Sequence, residues 1–529
     1  MEEAKYPIGI QSFENIRRGG YLYVDKTAYI RRLVSYGAYY FLSRPRRFGK
    51  SLLLSTIEAF FRGRRDLFEG LAIDSMDWDW AEYPVLHLDL SGKEYTETGQ
   101  LDNILNEYLS QWSDRYGCDV AEGADVDERF RAVIRKAAEQ TGKQVVILID
   151  EYDQPLLKSL HDEKLSEAFR RKLQAFFSVV KTMDPYIRFA MLTGVSRFSK
   201  VSVFSGINNL NDISLDMGFN AVCGITEAEL TDYFTEGIAG MAAMSGLSAE
   251  SLRRRLKEDY DGYHFAYRSE DVYNPFSLLN TFYKKRFGSY WFKTGTPTFL
   301  VKVLERSRLP IPRLNGYRCT EEQLSGSDVY LSDPVPLFFQ TGYLTIKDYD
   351  ERFNQYILGF PNREVSEGFV NFLMKSYMRG VDTSNMITDF VRAVEAGDAE
   401  RFMSLLQSFT ADIPYDLIKG TGRKGEDDGR RYEAHYQDMM YIVFKLMGFY
   451  THTEYKTSDG RIDMVVETPG YIYVMEFKID SSAEEAMKQI DSKGYAIPFR
   501  SSGKEIVRIG ASFSTATRRL DQWLIAFGE

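Results

Sequence analysis

Cysteine is scarce: Cys118, Cys223 and Cys319 are the three in 529 residues. They are widely separated, without the C-x-x-C spacing that holds zinc and without the even count of a disulfide framework, so a reducing compartment is expected. Histidine is nearly as rare. His87, His161, His264, His435 and His452 share no ligand spacing such as H-E-x-x-H, which argues against a histidine-based zinc site and leaves structural roles. No apolar run approaches the ~18 residues of a membrane span. The opening Met1-Glu2-Glu3-Ala4-Lys5 lacks the basic-then-apolar order of a signal peptide. The expectation is therefore a soluble, cytoplasmic chain without a membrane partner. Basic excess is also missing: 66 Lys and Arg face 76 Asp and Glu, a net charge of −10, so any nucleic-acid binding must use a local patch.

What is present is core material. Hydrophobic residues make up 44%, aromatic residues 14% and charged residues 27%, far from the polar signature of disorder, and the length calls for roughly three or four folding units. Residues 1–225 alternate short apolar runs with helical stretches, as an α/β domain on a parallel sheet does. The predicted strands are Ala38–Leu42, Val85–Leu90, Val145–Ile149 and Phe189–Thr193. Leu101–Tyr116 and Asp127–Gln140 read as covering helices. From Thr226 the pattern turns helical, opened by T-E-A-E-L, with Thr226 as N-cap and Glu229 at the capping-box position. That helical region, 226–308, closes at Pro310 and Pro312 and a Gly/Ser-rich segment around Gly326. In 309–415 a helix leads into a hairpin, Leu344–Tyr349 and Gln355–Gly359, compatible with either a winged-helix unit or a generic helix-hairpin insertion. A glycine-rich linker, Gly420–Gly429, opens a last α/β block over 416–529.

The chemistry sits in two places. F-L-S-R-P-R-R-F-G-K-S ends the first strand and opens the apolar helix Ser51–Phe61. A phosphate-binding loop needs backbone N–H groups at a helix N-terminus, a lysine for the outer phosphates and a hydroxyl for Mg²⁺. Gly49, Lys50 and Ser51 supply these, and Arg44, Arg47 and Phe48 join them as candidate nucleotide contacts. Where G-x-x-x-x-G-K-[ST] has its first glycine, this chain has Arg44 followed by Pro45. V-V-I-L-I-D-E then ends a strand in acid: Asp150 for the Mg²⁺ shell and Glu151 to polarise the attacking water. Thr193 or Ser196 is placed to sense the γ-phosphate. Arg197 is a candidate for stabilising transition-state charge, an ordinary surface or helix-capping arginine being the alternative. Arg44–Arg65 holds seven basic residues against Glu58, either a phosphate-facing patch or a solvated helix face.

The second place is the final block, where G-R-I-D-M (Gly460–Met464) and V-M-E-F-K (Val474–Lys478) flank the turn E-T-P-G. Side-chain alternation puts Glu476 and Lys478 on one face of their strand, and a hairpin in the right register brings Asp463 to them. Two carboxylates and a lysine are what metal-assisted phosphodiester hydrolysis needs: oxygen ligands for Mg²⁺ and an ammonium beside the attacking water. Glu433, on the helix Tyr432–Met447, is a further candidate metal ligand, and Gln489 and Tyr495 complete the set. Residues 421–529 carry 15 basic and 17 acidic residues, so charge does not advertise DNA affinity.

The order of these motifs resembles the bacterial and archaeal AAA-ATPase-like proteins that carry a C-terminal PD-(D/E)XK nuclease domain. Matching stretches are Y-V-D-K-T (Tyr23–Thr27), R-P-R-R-F-G-K-S (Arg44–Ser51), L-I-D-E-Y-D (Leu148–Asp153), F-S-G-I-N-N-L (Phe204–Leu210), Y-D-G-Y-H-F (Tyr260–Phe265), Y-N-P-F-S (Tyr273–Ser277) and Y-W-F-K-T-G (Tyr290–Gly295). The resemblance implies that Arg44 and Pro45 are the usual loop entrance, and it carries the nuclease pattern to Asp463, Glu476 and Lys478 with Glu433 as the helix acid. It implies a fold with a P-loop AAA-like domain (1–225), a helical lid (226–308), a helical or winged-helix region (309–415) and a restriction-endonuclease-like domain (416–529). The expected function is an ATP-binding, ATP-hydrolysing module governing a Mg²⁺-dependent nuclease that acts on DNA. Two alternatives are a regulatory ATPase switch whose nuclease fold only binds nucleic acid or protein, and a nuclease with a scaffold-only first domain. Self-association into a homo-oligomer is left open.

Overall fold

The structure is a computed structural model. It describes residues 4–118, 124–160, 162–197, 209–294, 314–325, 334–377, 385–411, 428–448, 452–458, 461–517 and 519–528, with the backbone alone for 376–377, 428–437, 452–458 and 461–463. The chain divides into two compact units, Met1–Thr296 with Asn315–Val365, and Pro297–Leu314 with Ser366–Glu529.

The first unit is built on a five-stranded parallel sheet in the order β2-β3-β4-β1-β5: β1 Tyr39–Ser43, β2 Val85–Asp89, β3 Val145–Asp150, β4 Ile187–Gly194 and β5 Asn211–Asp212. Every residue of β1 and β3 is buried, because helices such as Thr98–Tyr116 and Val126–Thr141 cover the sheet. Burial on both faces is why these strands read as unbroken apolar runs. The four expected strands are present with ends shifted by one or two residues. Strand β5 was not anticipated: Asn211 and Asp212 are polar and too few to show periodicity, and they pair with Tyr40 and Phe41. Since β4 lies between β1 and β3, the order brings the ends of all three strands to one edge of the sheet, where α/β folds bind ligands.

The capping box at Thr226 and Glu229 opens the helix Glu227–Ser245. Ala249–Tyr260 and Pro275–Lys284 follow, around a core of Leu230, Phe234, Leu252, Leu256, Leu278 and Phe282. The expectation of helices alone needs correction: residues 261–274 leave helical geometry and form the bridges Ile225↔Tyr273 and Tyr263↔Val272. Asp261 is already extended, and Gly262 takes a left-handed φ of 85° that breaks the helix. The expected helix and hairpin appear as Val335–Thr341 followed by β7 (Thr345–Asp350) and β8 (Gln355–Gly359), to which β6 (Tyr317–Cys319) adds an outer strand. Pro310, Pro312, Gly326, Phe204–Asn208 and most of the Gly420–Gly429 linker lie outside the described residues.

The second unit contains the helices Arg363–Tyr377, Met386–Glu395, Ala399–Ala411 and Asp428–Met447, the first from Ser366 on, and a mixed five-stranded sheet. Its strands are β9 His452–Ser458, β10 Arg461–Glu467, β11 Tyr471–Ile479, β12 Glu505–Ser514 and β13 Arg519–Phe527, in the order β13-β12-β11-β10-β9. Only β11 and β12 run parallel, joined by the helix Ala483–Lys493, whose Ile490 packs on Ile472, Val474 and Ile506. Among the described residues no helix is long and apolar enough to cross a membrane.

Candidate active sites

In the first unit the loop after β1 leads into the helix Lys50–Phe61, whose N-cap is Gly49 at φ 100°. The first turn of any helix leaves backbone N–H groups without intrahelical partners, so this end suits an anion. Lys50 is buried and its Nζ donates to the carbonyls of Arg44 (3.0 Å) and Pro45 (3.2 Å). Sequence alone cast Arg44 as a nucleotide contact. Its buried guanidinium instead donates to the carbonyls of Ser43 (2.9 Å), Ser214 (2.8 Å) and Phe219 (3.0 Å) and lies 4.3 Å from the centre of the Phe265 ring, which makes it a brace for the loop entrance. The Arg47 guanidinium lies over Phe276 at 5.1 Å. Phe48 meets Tyr263 and Phe265 edge to face at 4.8 and 5.4 Å.

Asp150 ends β3, buried, and its Oδ1 accepts from Thr193 Oγ1 (2.5 Å) and the Glu151 amide (3.0 Å). Thr193 is thus tied to the acid of β3 rather than standing alone. Glu151 adopts a left-handed φ of 50° and accepts from Gln154 Nε2. Burial pushes its carboxyl above the usual carboxylate range, with the Lys50 ammonium pulling the other way. Ser196, expected near the γ-phosphate, gives its amide and hydroxyl to Asp153 (both 2.6 Å), which also takes the Val195 amide (3.0 Å). Sequence reading did not single out Asp153, though it stands in the L-I-D-E-Y-D stretch. Arg197 forms a buried ion pair with Asp212 at 2.5 Å, so its charge is already engaged and the transition-state role expected for it loses ground to a structural one.

The basic run after the loop also resolves into pairs: Arg62 with Glu58 (2.7 Å), Arg64 with Glu14 and Asp66 (both 3.1 Å), and Arg65 with Asp74 (3.5 Å). Glu58 and Asp66 are close in sequence, whereas Glu14 and Asp74 come from outside the run and are paired with Arg64 and Arg65 by the fold. A largely apolar pocket of about 100 Å³ borders Phe48 and Gly49, walled by Leu22, Val24, Leu53, Ile225 and Leu279. Its apolar walls lie directly beside the loop. Tyr23, Val24 and Lys26 of the Y-V-D-K-T stretch and Pro275 of Y-N-P-F-S also line it.

In the second unit, β10 pairs with β11 in the register that sets Asp463 directly opposite Glu476. Directly opposed residues of an antiparallel pair share a face of the sheet. Glu476 is fully buried, Lys478 Nζ donates to its Oε1 (2.9 Å) and to Gln489 Oε1 (2.6 Å), and Gln489 Nε2 lies 3.5 Å from the Tyr495 hydroxyl. Gly510, the β12 partner of Glu476, permits this closeness: a Cβ there would meet the Met487 amide at 2.5 Å and the Ala483 carbonyl at 2.6 Å, so the helix bearing Gln489 could not approach. The side chains of Asp463 and Glu433 lie outside the described residues. Among those described, no group of three or more His, Cys, Asp or Glu forms a metal cluster. The donor set at hand, a buried carboxylate beside an ammonium with a second acid in register, fits a hard, oxygen-seeking cation such as Mg²⁺. Ser51 and Asp150 supply the same oxygen chemistry in the first unit.

Two family descriptions match the sequence: a predicted AAA-ATPase over residues 7–204 and the PD-(D/E)XK nuclease superfamily over 431–523. A protein of Azotobacter chroococcum mcd 1, described as an uncharacterized protein in the vnfD 5′ region, is 38% identical over 527 residues and spans 98% of both chains. The chain belongs to the AAA-ATPase-like proteins with a C-terminal PD-(D/E)XK nuclease domain. The AAA-ATPase-like match contains the parallel sheet, Lys50 and Asp150; the PD-(D/E)XK match contains the β9–β12 strands, Glu476 and Lys478. A solved structure of the Aeropyrum pernix ORC1 protein in complex with DNA is similar over 65% of this chain and 92% of its own, at 12% identity and a TM-score of 0.23, a likeness too slight to carry an argument.

Proposed function

We propose that the first unit binds and hydrolyses ATP and that this governs a Mg²⁺-dependent nuclease, formed by the second unit, that cuts phosphodiester bonds in DNA. The observation that carries the nuclease half is the register: Asp463 opposes Glu476, whose carboxylate already holds Lys478 at 2.9 Å. In this reading Asp463 and Glu476, with Glu433 on the preceding helix, hold Mg²⁺, which when bound polarises the phosphate and acidifies water. Lys478, steadied by Gln489, orients the attacking water and neutralises charge that develops on the phosphate.

In the first unit Lys50 leaves the loop carbonyls for the outer phosphates, Ser51 and Asp150 provide the metal's oxygen ligands, and the base occupies the apolar pocket beside Phe48. Glu151, with its raised carboxyl pKa and its position next to Asp150, takes the proton of the attacking water. Thr193, bonded to Asp150, is the group on the neighbouring strand through which the γ-phosphate is sensed.

The test is to incubate the purified chain with single- and double-stranded DNA and RNA, with and without ATP and Mg²⁺. DNA cleavage that requires Mg²⁺ and responds to ATP is expected. Asp463→Ala should abolish cleavage and leave ATP hydrolysis intact; cleavage surviving in that variant would remove the nuclease assignment from this cluster.

A further inference from the structure

The peptide that opens the phosphate loop is held from outside the parallel sheet. Trp291 is buried, and its indole Nε1–H donates to the Arg46 carbonyl at 2.9 Å. The ring meets Tyr343 edge to face at 5.4 Å and Tyr263 at 6.3 Å. Glu364 fixes the backbone beneath this ring: its Oε1 accepts from the Trp291 amide (2.7 Å) and the Phe292 amide (3.4 Å), and its Oε2 accepts from the Ser277 hydroxyl (2.6 Å). A carboxylate is tolerated in a buried site only where hydrogen bonds replace water, and these bonds go to the segment that carries the indole and the helix beside it.

The loop needs such support. Arg47 has a φ of 66°, in the left-handed region that costs a non-glycine residue free energy, so neighbours must hold it there. The loop carbonyls are met one after another: Arg44 and Pro45 by Lys50 Nζ, Arg46 by the indole, and Phe48 by the Gly224 amide at 3.3 Å. In a planar trans peptide the C=O and N–H point in opposite directions. Turning the Arg46 carbonyl toward Trp291 therefore turns the Arg47 N–H the other way, as a cradle of N–H groups around phosphate requires.

We propose that Trp291 and Glu364 are positioning residues of the nucleotide site: Glu364 anchors the Trp291 backbone, and the indole N–H sets the direction of the Arg46–Arg47 peptide. This rests on reading the loop as a nucleotide site, and gives Ser277 of Y-N-P-F-S and the Y-W-F-K-T-G stretch the task of holding the loop. Deleting the indole bond loosens the cradle and weakens nucleotide affinity, while Lys50, Asp150 and Glu151 keep the chemistry.

The full chain is titrated calorimetrically with a non-hydrolysable ATP analogue and Mg²⁺. Trp291→Phe keeps the ring and removes the donor; a single hydrogen bond predicts affinity weaker by about five- to tenfold. At saturating ATP its kcat should stay within about twofold of the wild type. Glu364→Ala should weaken binding similarly, Glu364→Gln should recover most of the loss because an acceptor remains, and the Trp291→Phe/Glu364→Ala double variant should bind no more weakly than the worse single one. A purely structural role would lower melting temperatures without moving Kd. Unchanged Kd in Trp291→Phe, with Lys50→Ala unable to bind, overturns the positioning role and leaves the nucleotide site standing. If the wild type binds no nucleotide, both fall. Should Glu364→Ala fail to fold, Trp291→Phe and Glu364→Gln decide.

Discussion

Lys478 serves the proposed chemistry and also holds down a buried charge. Glu476 is fully buried in the middle of the sheet, and Lys478, with 17% of its side chain exposed, sits 2.9 Å from its carboxylate. Removing one partner of a buried pair costs about 3–5 kcal/mol because the remaining charge loses its counter-ion in a low dielectric; partial access of water to Lys478 moves the expectation to the lower end, about 3 kcal/mol. For a unit of this size each kcal/mol shifts the melting point by roughly 2–4 °C, so Lys478→Met should lower the transition of the nuclease unit by roughly 6–12 °C at neutral pH. Glu476→Gln/Lys478→Met removes both charges and should regain most of that loss while remaining inactive. The measurement is differential scanning calorimetry of the full chain, with the nuclease transition identified by its response to the double variant. If Lys478→Met melts with the wild type, the pair does not balance the buried charge and the link between catalysis and stability is wrong.

Further outcomes are expected elsewhere. Lys50→Ala should abolish ATP binding, because in the proposed site the ammonium that now caps the Arg44 and Pro45 carbonyls is the cation for the outer phosphates; equal affinity in an equilibrium titration would sink the assignment. Glu151→Gln should retain ATP and slow hydrolysis by about two to four orders of magnitude, the usual worth of a general base; an unchanged rate would place the base elsewhere. Burial pushes the Glu364 carboxyl up to about 7 from an ordinary 4.5, so between those values the folded chain holds a proton that the unfolded chain has released. Stability should therefore fall as pH rises through that window, by up to about 3 kcal/mol, and stay reduced above it. Melting curves of the wild type and Glu364→Gln should diverge from pH 5 to pH 8 in favour of the variant, and parallel pH dependence would show that Glu364 is not the titrating group.

Local patterns carried much of the fold. V-V-I-L-I-D-E could be read as a buried strand ending in acid because both faces of β3 are covered, which removes any alternation and leaves an apolar run of the right length. The capping box at Thr226 and Glu229 was legible because both partners lie within one helical turn. The alternation that sets Glu476 and Lys478 on one face is a property of any strand, and only the hairpin register, which brings Asp463 opposite Glu476, had to come from the folded sheet. What sequence could not reach are partners set by distance along the chain. Arg197 finds Asp212 15 residues on, Arg64 finds Glu14, and the Arg46 carbonyl finds an indole 245 residues away. Periodicity, spacing and composition are near-neighbour signals. Which distant donor meets which buried acceptor follows from how helices and sheets pack, and only tertiary structure decided it.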